Sequence, residues 1–440
     1  MFRVTGHLRL GGRSRIERDV DTPVGGADER AQYLGRVCAM LWPAPATVTL
    51  TSPRHDPIAL SVPAGADPGG AGVRLTELIV LPGRERPRLL VPSERRGAAS
   101  AVKRYGEGGS LRARLGKRAI SIAIVSGAGS RLFEDRLRIV AADGVPTIAS
   151  YLAAALGCEI RLSIHLSATR ANRKPVLQLL SADGEAIAWA KIGIDELTRQ
   201  LVRAERDALV QLAGSTLTAL TVPPVLHHGS WNDLEVLVLG PLPVWRGRRP
   251  LSASRLSAAM REVAAVGAVS SQPLAASAHW QRLGRRLSAV VDGPGRAALS
   301  VALDRLADQA GDTVLCYGSA HGDWTPWNMA STAGSLLVWD WERFAHGVPV
   351  GFDALHHRLH SAVQPPRRDP ASAAHALIER APALLERFDL GTAQARVTAA
   401  LYLGDLAVRY LTDRQAEAGA ALGDPGSWLI PAISGALAAR

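Results

Sequence analysis

The stretch His321-Gly-Asp-Trp-Thr-Pro-Trp-Asn328, followed by Val338-Trp-Asp-Trp-Glu342, gathers the residue types in this chain best suited to chemistry. A carboxylate, Asp323, stands five residues before a carboxamide, Asn328. That step spans a tight loop whose two ends can converge on one phosphate group, and an apolar strand then carries a second carboxylate, Asp340, back toward the same place. Phosphoryl transfer needs a carboxylate to orient or deprotonate the acceptor hydroxyl, together with ligands for the Mg²⁺ that neutralises the nucleotide phosphates. Asp323 suits the first task; Asn328 and Asp340 suit the second.

A lysine upstream adds to this set. Of the 51 Lys and Arg residues only Lys103, Lys117, Lys174 and Lys191 are lysines, so a lysine on an apolar strand calls for a local reason. Lys191 ends the apolar run Ala186-Ile-Ala-Trp-Ala-Lys-Ile192. Asp195 then reads as the cap of an amphipathic helix reaching about Leu212, with Glu205 inside it.

Together these residues resemble the aminoglycoside phosphotransferase and choline kinase superfamily, whose signature is H-G-D-x-x-x-x-N followed by a strand ending in Asp-aromatic-Glu/Asp. The resemblance covers about residues 157 to 440. It implies a two-lobed fold related to protein kinases, use of ATP or GTP with Mg²⁺, and transfer of phosphate to a hydroxyl of a small polar molecule such as a sugar, amino sugar, glycan precursor or aminoglycoside-like acceptor. Residue by residue, it implies that Asp323 is the catalytic base, that Asn328 and Asp340 bind metal, and that Lys191 meets the nucleotide phosphates, held by Glu205. Asp195, Glu196 and Asp207 compete with Glu205 as partners of Lys191. Glu342 takes the second acidic place of the motif as a metal or substrate candidate, and Pro349 and Asp353 match a following Pro and Asp with a structural role. The chain departs from the kinase pattern between its first two lobe strands, where Thr169-Arg-Ala-Asn-Arg-Lys174 stands and no glycine-rich loop occurs.

The elements that must position these residues are legible in outline. Thr47 to Ser52, Leu78 to Pro82 and Arg88 to Pro92 read as short strands, Ser93 to Tyr105 and Thr147 to Leu156 as helices, and residues 63–72 as a loop. Leu111 to Phe133 gives mixed signals, with Gly127 and Gly129 as breakers. Three strands follow at Ile160 to Ser167, Val176 to Leu180 and Ala186 to Ile192, the last two joined by an Asp183-Gly184 turn. A strand pair at Val225 to His228 and Leu234 to Leu239 precedes the break Gly240-Pro-Leu-Pro243, and from Ser252 the pattern is mainly helical. The expected architecture is α+β. A small basic α/β domain at residues 1–150 precedes a β-rich nucleotide-binding lobe at 157–243 and a helical catalytic and acceptor-binding lobe at 244–440.

Composition narrows the alternatives. A hydrophobic fraction of 47% over 440 residues supplies more than one core. No apolar run reaches the roughly 18–20 residues of a membrane span, and the N-terminus lacks the apolar core of a signal peptide, so a cytoplasmic protein is expected. Cys38, Cys158 and Cys316 form neither a disulfide framework nor a metal knuckle and are read as buried apolar residues. Residues 1–150 hold 23 Lys/Arg against 14 Asp/Glu, most of the net +11. Dispersed arginines without interleaved aromatics disfavour nucleic acid there and leave an anionic surface or acidic partner as the alternative to a solvated face. His356 and His360 read as packing residues rather than a zinc pair. Trp324, Trp327, Trp339 and Trp341 read either as a sugar-stacking wall or as core. The rival to an active phosphotransferase is a catalytically inactive kinase-like binding or regulatory module.

Overall fold

The computed structural model describes residues 27–61, 73–104, 111–167, 171–244, 247–363, 369–418 and 422–438. The expected loop at 63–72, the stretch before residue 27, and residues 168–170 of the segment between the first two lobe strands lie outside the described residues.

The chain opens with α1 (Ala27–Leu41), β1 (Thr47–Ser52), β2 (His55–Ser61), β3 (Val73–Leu81), β4 (Leu89–Pro92), α2 (Arg95–Arg104), α3 (Leu111–Val125), α4 (Gly129–Leu132) and β5 (Arg136–Ala142). The mixed stretch from Leu111 thus becomes a helix interrupted around Gly127, whose φ of +86° suits glycine. Next come α5 (Ile148–Leu156), β6 (Arg161–His165), β7 (Val176–Leu180), β8 (Ala186–Gly193), α6 (Glu196–Ala213), β9 (Leu220–Thr221), β10 (Val225–Trp231) and β11 (Leu234–Leu239). Capping fixes the helix entries. Thr147 exchanges hydrogen bonds with Ser150 at the start of α5, Asp195 does so with Thr198 at the start of α6, and Gly157 closes α5 in the left-handed conformation.

Ten strands among the described residues form one antiparallel sheet in the order β10-β11-β8-β7-β6-β4-β3-β5-β1-β2. Strand β11, buried at all six positions, lies in its interior. The expected boundary between residues 1–150 and the lobe from 157 therefore falls inside a continuous sheet, because β4 pairs with β6 through Leu89 with His165 and Leu90 with Ile164. Leu166 N donates to Arg88 O at 2.9 Å, and the buried Ser163 hydroxyl donates to Leu90 O at 2.8 Å, extending that seam. One apolar core follows the same face across it, from Leu34, Val37 and Leu41 of α1 through Leu90 and Ile164 to Val236 and Val238. Neither half covers this face alone.

The remainder comprises α7 (Ala253–Ala264), β12 (Ser270–Pro273), α8 (Ala278–Ser288), α9 (Pro294–Ala310), β13 (Val314–Ala320), β14 (Met329–Ser331), β15 (Leu336–Val338), β16 (Ala345–Pro349), α10 (Phe352–Val363), α11 (Pro370–Leu385), α12 (Thr392–Thr412) and α13 (Leu429–Ala438). Among the described residues it is mainly helical, as expected, but also holds the three-stranded sheet β12-β13-β16 and the β14–β15 hairpin, to which β9 adds a third strand. Its core takes in Val202, Leu209 and Leu212 of α6 and Leu237 and Leu239 of β11, so α6 is packed between the large sheet and the helices. Of the three cysteines, Cys38 is buried, Cys316 half-buried and Cys158 exposed. The last departs from expectation because it follows the Gly157 helix stop, where the chain turns outward.

If the sheet is one cooperative unit, truncation at its seam is felt throughout. Ile164→Ala is expected to cost about 2–5 kcal/mol and to shift a single unfolding transition followed in parallel by far-ultraviolet circular dichroism and tryptophan fluorescence. Two separable transitions, only one of them shifted, would show independent cores.

Candidate active site

Lys191 lies on β8 between Val176 of β7 and Leu237 of β11. Its ammonium donates to both carboxylate oxygens of Glu205, at 2.7 and 2.6 Å, and to Asp340 Oδ1 at 2.5 Å. Glu205 is the one carboxylate in the buried stripe of α6, which otherwise runs Thr198, Leu201, Val202, Ala208, Leu209 and Leu212. It also accepts the Trp341 backbone N–H at 3.2 Å. The partners Asp195, Glu196 and Asp207, open on sequence, are engaged elsewhere: Asp195 caps α6, Glu196 accepts from Gln200, and Asp207 pairs with Arg206. Burial pulls the Lys191 ammonium down, but the carboxylates of Asp340, Glu205 and Glu342 outweigh it and hold the group above the ordinary lysine range. Burial pushes the Glu205 carboxyl up; Lys191 opposes that, while Asp340 and Glu342 add to it.

Asn328 and Asp340 are brought together by a hairpin. Met329 of β14 pairs with Val338 of β15, and Trp339 N donates to Asn328 O at 3.0 Å, so the residues on either side emerge next to one another. Asp340 takes φ +73°, a left-handed conformation that Asp tolerates better than most side chains, and this kink aims its carboxylate at Lys191.

Asp323 is fixed from two sides. Asn328 Nδ2 donates to Asp323 Oδ2 and to Asp323 O, both at 3.0 Å, and His356 Nε2 meets Oδ1 at 2.9 Å. Tyr402 OH reaches His356 Nδ1 at 3.0 Å. Burial, with Arg409 next in effect, holds the His356 imidazole well below its ordinary 6.5. The ring is therefore neutral, its Nε2–H donating to Asp323 and its Nδ1 accepting from Tyr402. The loop is clamped beneath: Asp353 accepts the backbone N–H groups of His321 and Gly322 at 2.8 and 2.9 Å. Asp323 N donates to His321 Nδ1 and His321 Nε2 meets Trp339 O, each at 3.1 Å, so His321 ties the loop to β15. Gly322 has φ +78°, and a Cβ there would lie 2.4 Å from the Arg343 carbonyl oxygen, which is why the loop needs glycine.

Glu342 lies with Glu205 and Asp340 in a group in which one carboxylate oxygen from each lies within 4.8 Å of the others. Hard oxygen donors of this kind suit Mg²⁺. Glu342 is also bonded to the Lys174 ammonium and to Asn172 Nδ2, the latter at 3.1 Å. Of the tryptophans, Trp324 and Trp341 are fully buried, Trp339 is half-buried and Trp327 is exposed, so a four-residue stacking wall does not form.

Sequence reasoning reads His356 as packing and gives Tyr402, Asn172 and Lys174 no role in this site. Two of them carried a signal. His356 stands one helical turn after Asp353, the residue that clamps the H-G-D loop, and Lys174 is one of only four lysines.

No protein-family model matches the chain, and a search of curated proteins finds no match. A search of solved structures returns matches of low identity with TM-scores below 0.5. A protein assigned as a fructosamine-3-kinase from Thermobifida fusca shares 17% identity over 67% of this chain and 100% of its own, with a TM-score of 0.41. Choline kinase LicA from Streptococcus pneumoniae shares 14% over 67% of this chain and 98% of its own, with a TM-score of 0.44. Aminoglycoside phosphotransferase APH(4)-Ia, solved with ADP and hygromycin B, shares 15% over 66% and 98%, with a TM-score of 0.41. The chemistry of the site is argued from its own geometry. Among the described residues no helix is long and apolar enough to cross a membrane.

The neutral state of His356 has a consequence for stability. An imidazole held below its ordinary 6.5 contributes stability that is present above that pH and is lost as pH falls below it, because the unfolded chain then takes up a proton that the folded chain refuses. His356→Gln keeps an amide donor and cannot titrate. Between pH 7.5 and 5 its unfolding free energy, measured by denaturant titration, is expected to fall less than that of the wild type; an equal fall in both would contradict the assignment.

Proposed function

We propose that this chain is a phosphotransferase that moves the terminal phosphoryl group of ATP or GTP to a hydroxyl of a small polar molecule. The observation that carries this reading is the Lys191–Glu205–Asp340 ion cluster, joined through the β14–β15 hairpin to an oriented carboxylate, Asp323, which the Asn328 side chain holds. Lys191, kept charged, supplies an ammonium for phosphate oxygens. Asn328, Asp340 and Glu342 offer the oxygen set for Mg²⁺, which would neutralise the phosphates and leave the phosphorus open to attack. Asp323 accepts the proton of the acceptor hydroxyl as its oxygen bonds to the terminal phosphorus and the bond to the bridging oxygen breaks, leaving the nucleoside diphosphate. Its two oxygens are held by Asn328 and His356, so its lone pairs are aimed before the acceptor arrives.

Beside Asn328, the Asp323 carboxylate meets the His356 imidazole, and the Arg409 guanidinium donates to the neighbouring Gly322 carbonyl. His360 stacks on His356 with ring centres 4.2 Å apart and meets Trp327 edge-on at 6.0 Å. The helical region's Asp353, Asp389 and Asp405 are bound to backbone N–H groups, Arg261 and Arg286 respectively. An aromatic, hydrogen-bonding wall with its carboxylates already engaged favours a neutral polyhydroxyl acceptor such as a sugar over a polycation. A binding or regulatory module is the second reading, and one observation favours it: Asp340 and Glu342, the carboxylates a metal would take, are each paired to a lysine.

One comparison separates the two. Asp323→Asn is expected to lower phosphate transfer from labelled ATP to a sugar panel by at least about 10³-fold, within the range removed with a positioned catalytic base, while Mg·ATP affinity by calorimetry stays within about twofold. Retained turnover would remove Asp323 from the chemistry, and a wild type that binds no nucleotide would leave the binding module.

A further inference from the structure

The segment between β6 and β7, where kinase-like proteins carry glycines, here presents Asn172, Arg173 and Lys174. Both cations are buried: Arg173 is 8% exposed and Lys174 7%. Removing such charges from water costs several kcal/mol each unless they are paired, so their partners say what holds the segment. Lys174 is bonded to Glu342, itself 5% exposed, whose other oxygen accepts from Asn172. Arg173 lies over the ring of Tyr33 on α1, with its guanidinium carbon 3.5 Å from the ring centre.

Lys174 stands two residues before Val176, the cross-strand partner of Lys191, and Pro175 O accepts the Ile192 N–H at 3.2 Å. Strand parity therefore brings the two lysines to the same face of the sheet, from neighbouring strands. There they share one group of acids. Lys191 holds Glu205 and Asp340, Lys174 holds Glu342, and one carboxylate oxygen of each of the three acids lies within 4.8 Å of the others. A divalent cation that engages Asp340 and Glu342 takes these partners from the ammonium groups. A buried ammonium cannot remain unpaired, and the phosphates of a nucleotide are the anions that arrive with the cation.

Building on the phosphotransferase reading above, we propose that Lys174, with Asn172 beside it, is a second phosphate-binding residue for the nucleotide's terminal phosphates. It supplies by charge what a glycine-rich loop supplies by backbone N–H groups, and the Tyr33–Arg173 contact braces it. In the nucleotide-free chain Glu342 holds the ammonium in place; in the loaded chain the phosphates do.

Calorimetry with the full chain and Mg²⁺ tests this, using ATP and adenosine as probes. Lys174→Gln is expected to weaken ATP by roughly tenfold or more, the worth of a charge-assisted hydrogen bond, with adenosine affinity unchanged, and Lys174→Arg is expected to restore most of it. Because Lys174→Gln leaves Glu342 buried without its partner, the double variant Lys174→Gln/Glu342→Gln, which removes both charges, serves as a second test and is also expected to bind ATP weakly. Tyr33→Leu is expected to weaken ATP less than Lys174→Gln, again sparing adenosine. Variants that bind ATP as tightly as the wild type and lose only melting temperature would reduce Lys174 to a structural partner of Glu342 and overturn the proposal. A wild type that binds neither ATP nor ADP would overturn the phosphotransferase reading together with it, an outcome distinct from the first.

Discussion

The buried ammonium of Lys191, shared between Glu205 and Asp340, is the interaction on which the rest of the site depends. A charged lysine inside a sheet is tolerated only when opposite charges are fixed around it. That requirement dictates three features that are unrelated in sequence. Strand β8 must be an interior strand so that the lysine is buried, α6 must carry one acid in an otherwise apolar stripe, and the turn after β15 must adopt a left-handed conformation to bring Asp340 round. The Asp195–Thr198 capping box sets where α6 begins, and thus where Glu205 lies along it. The charge is stable because each neighbour has been placed by a separate local device.

The second cluster, around Asp323, is built on different terms. Asn328 connects the two by donating its side chain to Asp323 while its backbone carbonyl accepts from Trp339. The β14–β15 hairpin is therefore the rigid joint of the site, and its strands are only three residues long because no more is needed to hold two ends in register. Beneath it, Asp353 accepts both N–H groups of the H-G-D loop. Burial pushes its carboxyl up, and those N–H groups and His321 draw the other way. A buried acid so occupied belongs to the scaffold. Loss of Asp353 would free two N–H groups and release the loop that carries Asp323.

Much of this was legible in the sequence because it is local. The helix from Asp195, the turn at Asp183-Gly184, the strand bearing Lys191 and the five-residue step from Asp323 to Asn328 all depend on neighbours within a few positions, where propensity and periodicity speak directly. What the sequence hid is long-range. Pairing of β4 with β6 joins segments some seventy positions apart, and nothing in either strand's own pattern names its partner, so the N-terminal third was read as a separate domain. Alternation places Trp339 and Trp341 on one face of a strand, yet β15 ends at Val338, and Trp341 turns into the core while Trp339 does not. His356 was read as packing, which is partly right: it is buried, but its partner is Asp323, thirty-three positions away.

The shared sheet also bears on how a phosphate site can work without glycines. A glycine-rich loop approaches phosphate closely because it has no side chains, but its freedom in the unbound state must be given up on binding. Here β6 is held on one side by β4 and on the other by β7, and the residues entering β7 are pinned by Tyr33 from α1 and Glu342 from beyond β15. Arg173 and Lys174 are therefore held by an aromatic ring and a carboxylate rather than left in solvent. The basic N-terminal third is continuous with the β-rich lobe, because five strands past β6 extend one sheet and Tyr33 of α1 meets Arg173.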